Sequence, residues 1–325
     1  MAGEGRGRDR ATVVVPAKVN LFLGVGHLRP DGYHEVVTIL QSVNVCDTVG
    51  VQVIGHLGPG DCPDRVALEF HHDGGHDVPS GGTNLVVRAA ERLLEELDIE
   101  LVGRGDDADE AEADVATVRL DLHKSIPVAA GMAGGSADAA GTLVALNAVL
   151  CSGLDRHRLR DIAADLGSDV PFCITGGTAL ATGTGTATAD VMSRGEFHWV
   201  IGMSDTPLAT PAVYAAWDRL DHHFHADHGD VLAAVRSGNA TLLGESLHND
   251  LQAAAFQLRP ELADAVDAFL VEGALGAIVS GSGPTVAALA ADADHARALR
   301  DAMADRFDRI EVSTSPAGGP QLRMG

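Results

Sequence analysis

One glycine-rich stretch says most about how this chain is built. Residues 127–138 read Pro127-Val128-Ala129-Ala130-Gly131-Met132-Ala133-Gly134-Gly135-Ser136-Ala137-Asp138. Before it, Val118, Leu120 and Leu122 alternate with polar residues, which predicts a strand. Residues 136–150 after it are typical of a helix. The stretch is therefore a strand-to-helix connection that contains three glycines within five residues.

A connection of this kind favours phosphate binding. Backbone amides at a helix start have no partner inside the helix, and the helix dipole adds positive charge there. Small residues let a phosphate approach those amides closely, and Ser136 is a candidate to cap the helix or to reach a phosphate or its Mg²⁺. The stretch lacks the Gly-Lys-Ser/Thr ending of a Walker A motif and the Gly-x-Gly-x-x-Gly spacing of a dinucleotide fingerprint. A glycine-rich turn packed under a helix remains the alternative.

Two residues outside the stretch match phosphoryl-transfer chemistry. Lys18 lies on the polar side of a predicted strand over residues 12–26, and Asp169 follows the end of a predicted helix over residues 155–166. Taken singly, Lys18 is typical of a solvated strand residue, and Asp169 of a turn former. Together they could act on an alcohol, because the Asp can accept the hydroxyl proton and the Lys can stabilise the charge that moves. The sequence alone leaves open whether the two residues meet.

Composition excludes several classes of protein. The 325 residues carry a formal charge of −23, which disfavours binding to nucleic acid or anionic lipid. The four cysteines form no CxxC pair, and the chain contains neither a predicted signal peptide nor an apolar run of membrane-spanning length. We therefore expect a cytoplasmic protein with a small-molecule substrate and no membrane or nucleic-acid partner. The oligomeric state, monomer or homodimer, stays open.

The order of predicted elements indicates an α+β fold of two domains. Strands and helices are mixed along the chain, and residues 178–194 are rich in Thr, Gly and Ala, as expected near a domain boundary. We place the domains at residues 1–180 and 181–325. Residues 103–114 are acidic and polar and predict a solvated loop, and residues 316–325 contain few signals of order.

Four segments carry a family resemblance. Residues 16–23 with 29–34 read Pro-Ala-Lys-Val-Asn-Leu-Phe-Leu and Arg-Pro-Asp-Gly-Tyr-His, residues 166–172 read Leu-Gly-Ser-Asp-Val-Pro-Phe, and residues 280–285 read Ser-Gly-Ser-Gly-Pro-Thr. With the glycine-rich stretch, they resemble the motifs of the GHMP kinase superfamily in the family's order. Within that superfamily, the Lys-Val-Asn-Leu and Asp-Gly-Tyr-His segments resemble those of the kinases that phosphorylate 4-diphosphocytidyl-2-C-methyl-D-erythritol.

The resemblance implies a fold, a reaction and a set of site residues. The fold would have an N-terminal ribosomal-S5-like ATP domain, a C-terminal ferredoxin-like substrate domain, and a cleft between them. The reaction would move the γ-phosphate of ATP, with Mg²⁺, to the 2-hydroxyl of the cytidyl substrate, in non-mevalonate isoprenoid precursor synthesis. Asp169 would be the base and Lys18 its partner. The implied ATP-binding residues are Asn84, Leu85, Val128, Ala129, Ala130, Gly131, Met132, Ala133, Gly134, Gly135, Ser136, Ala137 and Asp138, with Ser136 also as a metal ligand.

For the substrate, the resemblance implies that Tyr33 and His34 meet the cytosine and that Tyr214 encloses the base from the other side. These are the only two tyrosines of the chain. Asn20 would contact the substrate near the reacting hydroxyl, and the implied set is completed by Thr210, Gly281, Ser282 and Gly283. The chain departs from the family pattern by alanines at Ala129, Ala130 and Ala133, where glycine is common, and by Ala137, where a second serine is common.

Other interpretations stay in view. A sister kinase for homoserine, mevalonate or a sugar would lack the segment from Asp31 to His34, and a non-catalytic nucleotide-binding protein would lack the Lys or the Asp. The His-rich residues 222–228, and His71, His72 and His76, are candidate metal ligands, although residues spaced so densely fix no geometry.

Overall fold

The structure is a computed structural model that describes residues 9–55, 63–73, 78–79, 81–102, 115–220 and 227–325. The mixture of helices and sheets confirms the predicted α+β class. The strands are β1 Arg10–Leu28, β2 His34–Ile54, β3 Arg65–His72, β4 Glu100–Leu101, β5 Ala116–His123, β6 Thr178–Thr182, β7 Ala187–Asp190, β8 Phe197–Met203, β9 His248–Asn249, β10 Gly276–Val279, β11 Val286–Ala290, β12 Arg309–Ser315 and β13 Gln321–Met324. The helices are α1 Leu85–Glu96, α2 Gly134–Val149, α3 Arg156–Ala164, α4 Val170–Thr175, α5 Thr210–Trp217, α6 Gly229–Ser237, α7 Ala240–Ser246, α8 Gln252–Leu258, α9 Glu261–Val271 and α10 Ala293–Met303.

The first sheet is built around the long hairpin of β1 and β2. Its strand order is β13-β1-β2-β5-β3-β4, with β6 and β9 also paired to the hairpin and β7 paired to β6. The register of the hairpin shifts between Pro16 and Ala17, as expected because proline has no N–H to donate. A second shift lies between Asn20 and Phe22 and is a bulge in β1 beside Lys18.

Helix α2 brings the glycine-rich stretch against the hairpin. A Cβ added at Gly141 would lie 3.0 Å from Val49 Cγ2 and 3.3 Å from Val15 Cγ1, so the helix approaches the strands as closely as a residue without a side chain permits. Ala137, one turn earlier, is fully buried as well. This packing fixes the N-terminus of α2 next to the middle of β1.

The second sheet has the order β10-β11-β8-β12 and is antiparallel throughout. The fully buried Trp199 on β8 belongs to the same hydrophobic cluster as the first sheet, and its Nε1 donates to Ser315 Oγ at 2.8 Å. Helices α9 and α10 cover the opposite face with a second hydrophobic cluster. One face of the second sheet thus packs toward the first sheet.

Some elements differ from the expectations. The tail expected to have little order forms β13, which pairs with residues 11–14 of β1. Helix α2 begins at Gly134 rather than at Ser136, and α7 and α8 were missed. The first sheet continues beyond residue 180 to Asp190, and the boundary at residues 180 and 181 stays a prediction. The acidic residues 103–114, residues 221–226 of the His-rich segment, and His76 lie outside the described residues.

Candidate active site

Lys18 is buried at the centre of the molecule, not solvated at a strand edge. Only 4% of it is exposed, because both faces of this part of β1 are covered. Its Nζ donates to Asn20 Oδ1 at 2.7 Å and to the carbonyl of Gly131 at 2.9 Å, and it lies 3.8 Å from Asp169 Oδ2. A buried ammonium with three donors must be surrounded by acceptors, and these three groups are of that kind. Two residues 151 positions apart in the sequence therefore meet.

Asp169 stands at the start of the short helix α4. Its backbone carbonyl accepts the Cys173 N–H, but its side chain makes no capping bond to the helix. The carboxylate is one-third exposed and faces the cleft described below. An Asp at a helix start whose side chain does not cap the helix has its oxygens available for a ligand.

Gly131 joins the glycine-rich stretch to Lys18 and to the segment over residues 280–285. Its carbonyl accepts from Lys18 and, at 3.0 Å, from Ser280 Oγ. Its φ is +78°, and an added Cβ would lie 2.1 Å from the Ser280 carbonyl oxygen. Neither the backbone conformation nor the space admits a side chain at this position.

The first turn of α2 offers unpaired amides. The first bond within the helix runs from the Ala137 N–H to the Ala133 carbonyl, so the N–H groups of residues 134–136 have no partner in the helix. Ala133 precedes the helix with a φ of +57°, and no side chain caps it. Ser136 therefore does not act as the cap, and its side chain lines the cleft. The turn has the properties of an anion site.

Not every residue implied for ATP faces the cleft. Leu85 and the residues 129–131 and 133–136 line it, whereas Asn84, Val128, Met132, Ala137 and Asp138 do not. Asn84 instead caps α1, since its Oδ1 accepts the Val86 N–H at 2.8 Å. Met132 and Ala137 belong to the core. Contacts of these five residues with ATP remain a prediction that their side-chain positions do not favour.

Asp138 belongs to a buried ionic cluster that the sequence did not reveal. Lys124 Nζ lies 2.8 Å from Asp138 Oδ2 and also contacts Asp47, whose Oδ1 accepts the Ile126 N–H at 2.8 Å. Burial raises the pKa of Asp138 well above its usual value; Lys124 opposes the shift and Asp47 adds to it. Burial alone would lower the pKa of Lys124, but the charges of Asp138 and Asp47 raise it. The scarcity of lysine was the available signal, because both lysines of the chain are buried in ionic contacts.

The site opens into a cleft of about 830 Å³ between the two sheet units. The N-terminal part contributes Lys18, Asp169 and the glycine-rich stretch, and helix α5 contributes Thr210 and Tyr214. Gly281 and Ser282 close one side, and Ser282 Oγ lies 2.9 Å from Thr210 Oγ1. Gly283 lies behind this wall: its N–H bonds to the Ser280 carbonyl. Segments from both halves of the chain thus line one volume.

Aromatic rings gather at one end of the cleft. The ring of His34 stacks on Tyr214 with centroids 5.3 Å apart, and the edge of Trp217, which the sequence did not single out, lies 5.2 Å from it. His34 Nε2 lies 3.2 Å from Asp218 Oδ1, and its Nδ1 lies 3.1 Å from the Gly26 carbonyl. Tyr33 is 67% exposed at the cleft mouth. Aromatic rings that line the same cleft are suited to holding a flat base.

Tyr214 stays uncharged in this environment. Burial raises the pKa of its hydroxyl to about 12, and the nearby charge of Asp169 acts in the same direction. The ring therefore presents a neutral aromatic face over the whole physiological pH range.

Within the described residues, no group of three or more His, Cys, Asp or Glu side chains is arranged to hold a metal ion. His71 and His72 are among these described residues, whereas residues 222–226 of the His-rich segment are not. No helix in the described part of the chain has the length and apolarity needed to cross a membrane.

Known proteins are similar to this chain in both sequence and fold. Residues 84–177 match the family "GHMP kinases N terminal domain", and residues 231–309 match "GHMP kinases C terminal". A protein of Nocardia farcinica named 4-diphosphocytidyl-2-C-methyl-D-erythritol kinase is 43% identical over 316 residues, which cover 96% of this chain and 95% of that protein. A Mycobacterium tuberculosis protein of the same name is 45% identical over 317 residues, with coverages of 96% and 92%.

A solved structure supports the same assignment. The crystal structure of a 4-(cytidine 5'-diphospho)-2C-methyl-D-erythritol kinase superposes with a TM-score of 0.73 at 31% identity, covering 94% of this chain and all of that one. Sequence relatives, family domains and fold therefore agree, and the chain belongs to the 4-diphosphocytidyl-2-C-methyl-D-erythritol kinase family of the GHMP kinases.

Proposed function

We propose that the protein transfers the γ-phosphate of ATP to the 2-hydroxyl of 4-diphosphocytidyl-2-C-methyl-D-erythritol, which gives ADP and the 2-phosphate. This reaction is a step of non-mevalonate isoprenoid precursor synthesis. The observation that carries the proposal is one cleft in which the buried Lys18 and the partly exposed Asp169 lie between an anion-binding helix start and an aromatic end. ATP use agrees with membership of a kinase family.

In this proposal Asp169 removes the proton from the attacking hydroxyl. Its carboxylate is open to the cleft and is not used as a helix cap, so it can accept a hydrogen bond from an alcohol. Lys18, 3.8 Å away, would stabilise the negative charge on the attacking oxygen as the proton leaves. The side-chain oxygen of Asn20 and the backbone carbonyl of Gly131 accept from Lys18 and hold its ammonium in place during this step.

The amides of the first turn of α2 would bind the phosphates of ATP. Gly135 is exposed to the cleft, and the absent side chain leaves its N–H approachable. The donor set also fits Mg²⁺, which prefers oxygen ligands and keeps several waters and phosphate oxygens, so a single protein hydroxyl, Ser136, is enough. The serine missing at Ala137 removes no ligand, because that position is fully buried. Bound Mg²⁺ would offset phosphate charge during transfer.

The acceptor is tested by ADP release. We expect the purified protein to release ADP with the cytidyl substrate and not with homoserine, mevalonate or galactose offered separately. Omission of Mg²⁺ and a mixture without acceptor are the controls. Turnover with only one of the other three acceptors would exclude the proposed substrate. No turnover with any of the four compounds would favour a non-catalytic nucleotide-binding protein.

The aromatic end is tested by replacement of Tyr214. We expect Tyr214→Ala to raise KM for the cytidyl substrate by roughly 10- to 100-fold with little effect on KM for ATP, because stacking of a base on an aromatic ring contributes about 1–3 kcal/mol. Tyr214→Phe is the matched control, since it keeps the ring and removes only an uncharged hydroxyl. Steady-state kinetics with each substrate varied in turn give both constants. Equal KM values in wild type and Tyr214→Ala would place the base elsewhere.

The cell compartment and the domain boundary belong to the proposal as well. Cys46, Cys151 and Cys173 are free thiols among the described residues, which supports a reducing compartment such as the cytoplasm. We propose a division of the chain near residue 180, into an ATP domain and a substrate domain, because both family matches lie on their own side of that point.

A further inference from the structure

The hydroxyl of Thr38 lies next to the Lys18 site, and Thr38 is one of the residues that line the cleft. Thr38 is on β2, is 4% exposed, and is placed beside Asn20 by the bulge in β1 between Asn20 and Phe22. Its Oγ1 lies 2.6 Å from the Phe22 carbonyl oxygen and 2.8 Å from Asn20 Nδ2. None of the motifs considered above includes this residue.

These two contacts determine how the Asn20 amide is oriented. A carbonyl can only accept, so the single hydroxyl proton of Thr38 must point to Phe22. The hydroxyl oxygen is then left as an acceptor, and the group that faces it from Asn20 must be the NH₂. The Asn20 carbonyl oxygen is consequently turned to Lys18 Nζ, at 2.7 Å. With the amide flipped, two donors would face each other at that distance.

We propose that Thr38 is a positioning residue of the phosphoryl-transfer site, which acts through Asn20 to fix the ammonium of Lys18. Two of the three donors of Lys18 are held by Asn20 and Gly131, and the third is left on the side of Asp169. Loss of the Thr38 hydroxyl removes one of the two contacts that hold the amide, so the Asn20 oxygen still faces Lys18 but is placed less firmly, and one of the two acceptors of the ammonium shifts. The role of Lys18 in this inference rests on the proposed function.

The chain contains a matched control for this residue. Thr178 on β6 is also 4% exposed, and its Oγ1 accepts from Gln41 Nε2 at 2.8 Å, the same distance as in the Asn20 contact. It does not line the cleft. Thr38→Val and Thr178→Val therefore remove the same kind of buried amide-to-hydroxyl bond, one next to Lys18 and one away from it.

The experiment compares wild type, Thr38→Val, Thr38→Ser and Thr178→Val. We expect Thr38→Val to lower kcat by about 10- to 100-fold, since small misplacement of a reacting group has effects of this size, with KM for ATP nearly unchanged. Thr38→Ser keeps the hydroxyl and is expected to restore most of the turnover. Thr178→Val removes one side-chain hydrogen bond where Thr38→Val removes two, and it is expected to lose some thermal stability and to keep its kcat. A wild-type kcat in Thr38→Val, or an equal loss in Thr178→Val, overturns the inference.

A second measurement does not depend on the reaction. The side-chain NH₂ resonances of Asn20, read by NMR of ¹⁵N-labelled protein, are expected to shift and to lose protection from solvent exchange in Thr38→Val but not in Thr178→Val. Unchanged resonances in Thr38→Val overturn the inference even if turnover falls. If wild type does not phosphorylate the cytidyl substrate, the proposed function fails, and these resonances still decide whether Thr38 orients Asn20.

Discussion

Replacement of Asp169 by Asn is expected to lower kcat by about 10²- to 10⁴-fold, the range in which a positioned general base contributes. The amide keeps the size of the side chain but cannot accept the proton of the attacking hydroxyl. Nucleotide binding should persist, because the amides of α2 and Leu85 are unchanged. Turnover by a coupled ADP assay and ATP affinity by calorimetry measure the two effects separately.

Asp165→Asn is the control for loss of a nearby negative charge. Asp165 lies only four residues away in the sequence, but its carboxylate pairs with Arg92 on the surface and does not line the cleft. We expect wild-type kinetics for this variant. Near-normal turnover in Asp169→Asn would exclude Asp169 as the base.

Replacement of Gly131 by Ala is expected to lower the free energy of unfolding by about 3 kcal/mol or more, as strain and overpacking act together. The alanine Cβ would meet the Ser280 carbonyl at 2.1 Å, and the positive φ adds its own cost. Relief of the clash must move the carbonyl that accepts from Lys18, so kcat should fall too. Equilibrium unfolding in urea gives the stability change.

Gly153→Ala separates the two contributions to this effect. Gly153 also has a positive φ, +69°, but an added Cβ there meets nothing within 4 Å. Only the conformational cost of about 1–2 kcal/mol applies, reduced by the lower entropy of the unfolded chain. If Gly131→Ala were no less stable than Gly153→Ala, the contact between the glycine-rich stretch and residues 280–283 would not be as tight as the structure has it.

The α+β fold and the family followed from the sequence because their signals are local. Alternating apolar residues, the glycines before α2 and the Asp-Gly-Tyr-His segment are each read within a few positions of one another. Elements whose order depends on distant partners were harder to predict. The tail over residues 321–324 alternates polar and apolar residues for only four positions, and all four are exposed. It is a strand because β1 offers it an edge.

The site was predictable in its chemistry but not in its burial. The alternation of side chains along β1 predicted that Lys18 lies on the polar face of the strand. In the structure, residues 280–283, far along the chain, cover that face. Asp138 follows the phosphate motif directly, yet it turns toward Lys124 because a buried ammonium needs its charge. The sequence did not point to Trp217 and Asp218, because what marks them as site residues is their contact with His34. That contact exists only in the folded chain.

The pairing of β13 with β1 bears on how the protein is made. Residues 321–324 lie more than 300 positions after their partners in β1, and they complete one edge of the strand that carries Lys18. On the ribosome, that edge must wait, with its N–H and C=O groups unpaired, until residues 321–324 have emerged. Unpaired strand edges are sites of intermolecular pairing, so a nascent or prematurely terminated chain is exposed to aggregation at the strand that later holds its reactive lysine.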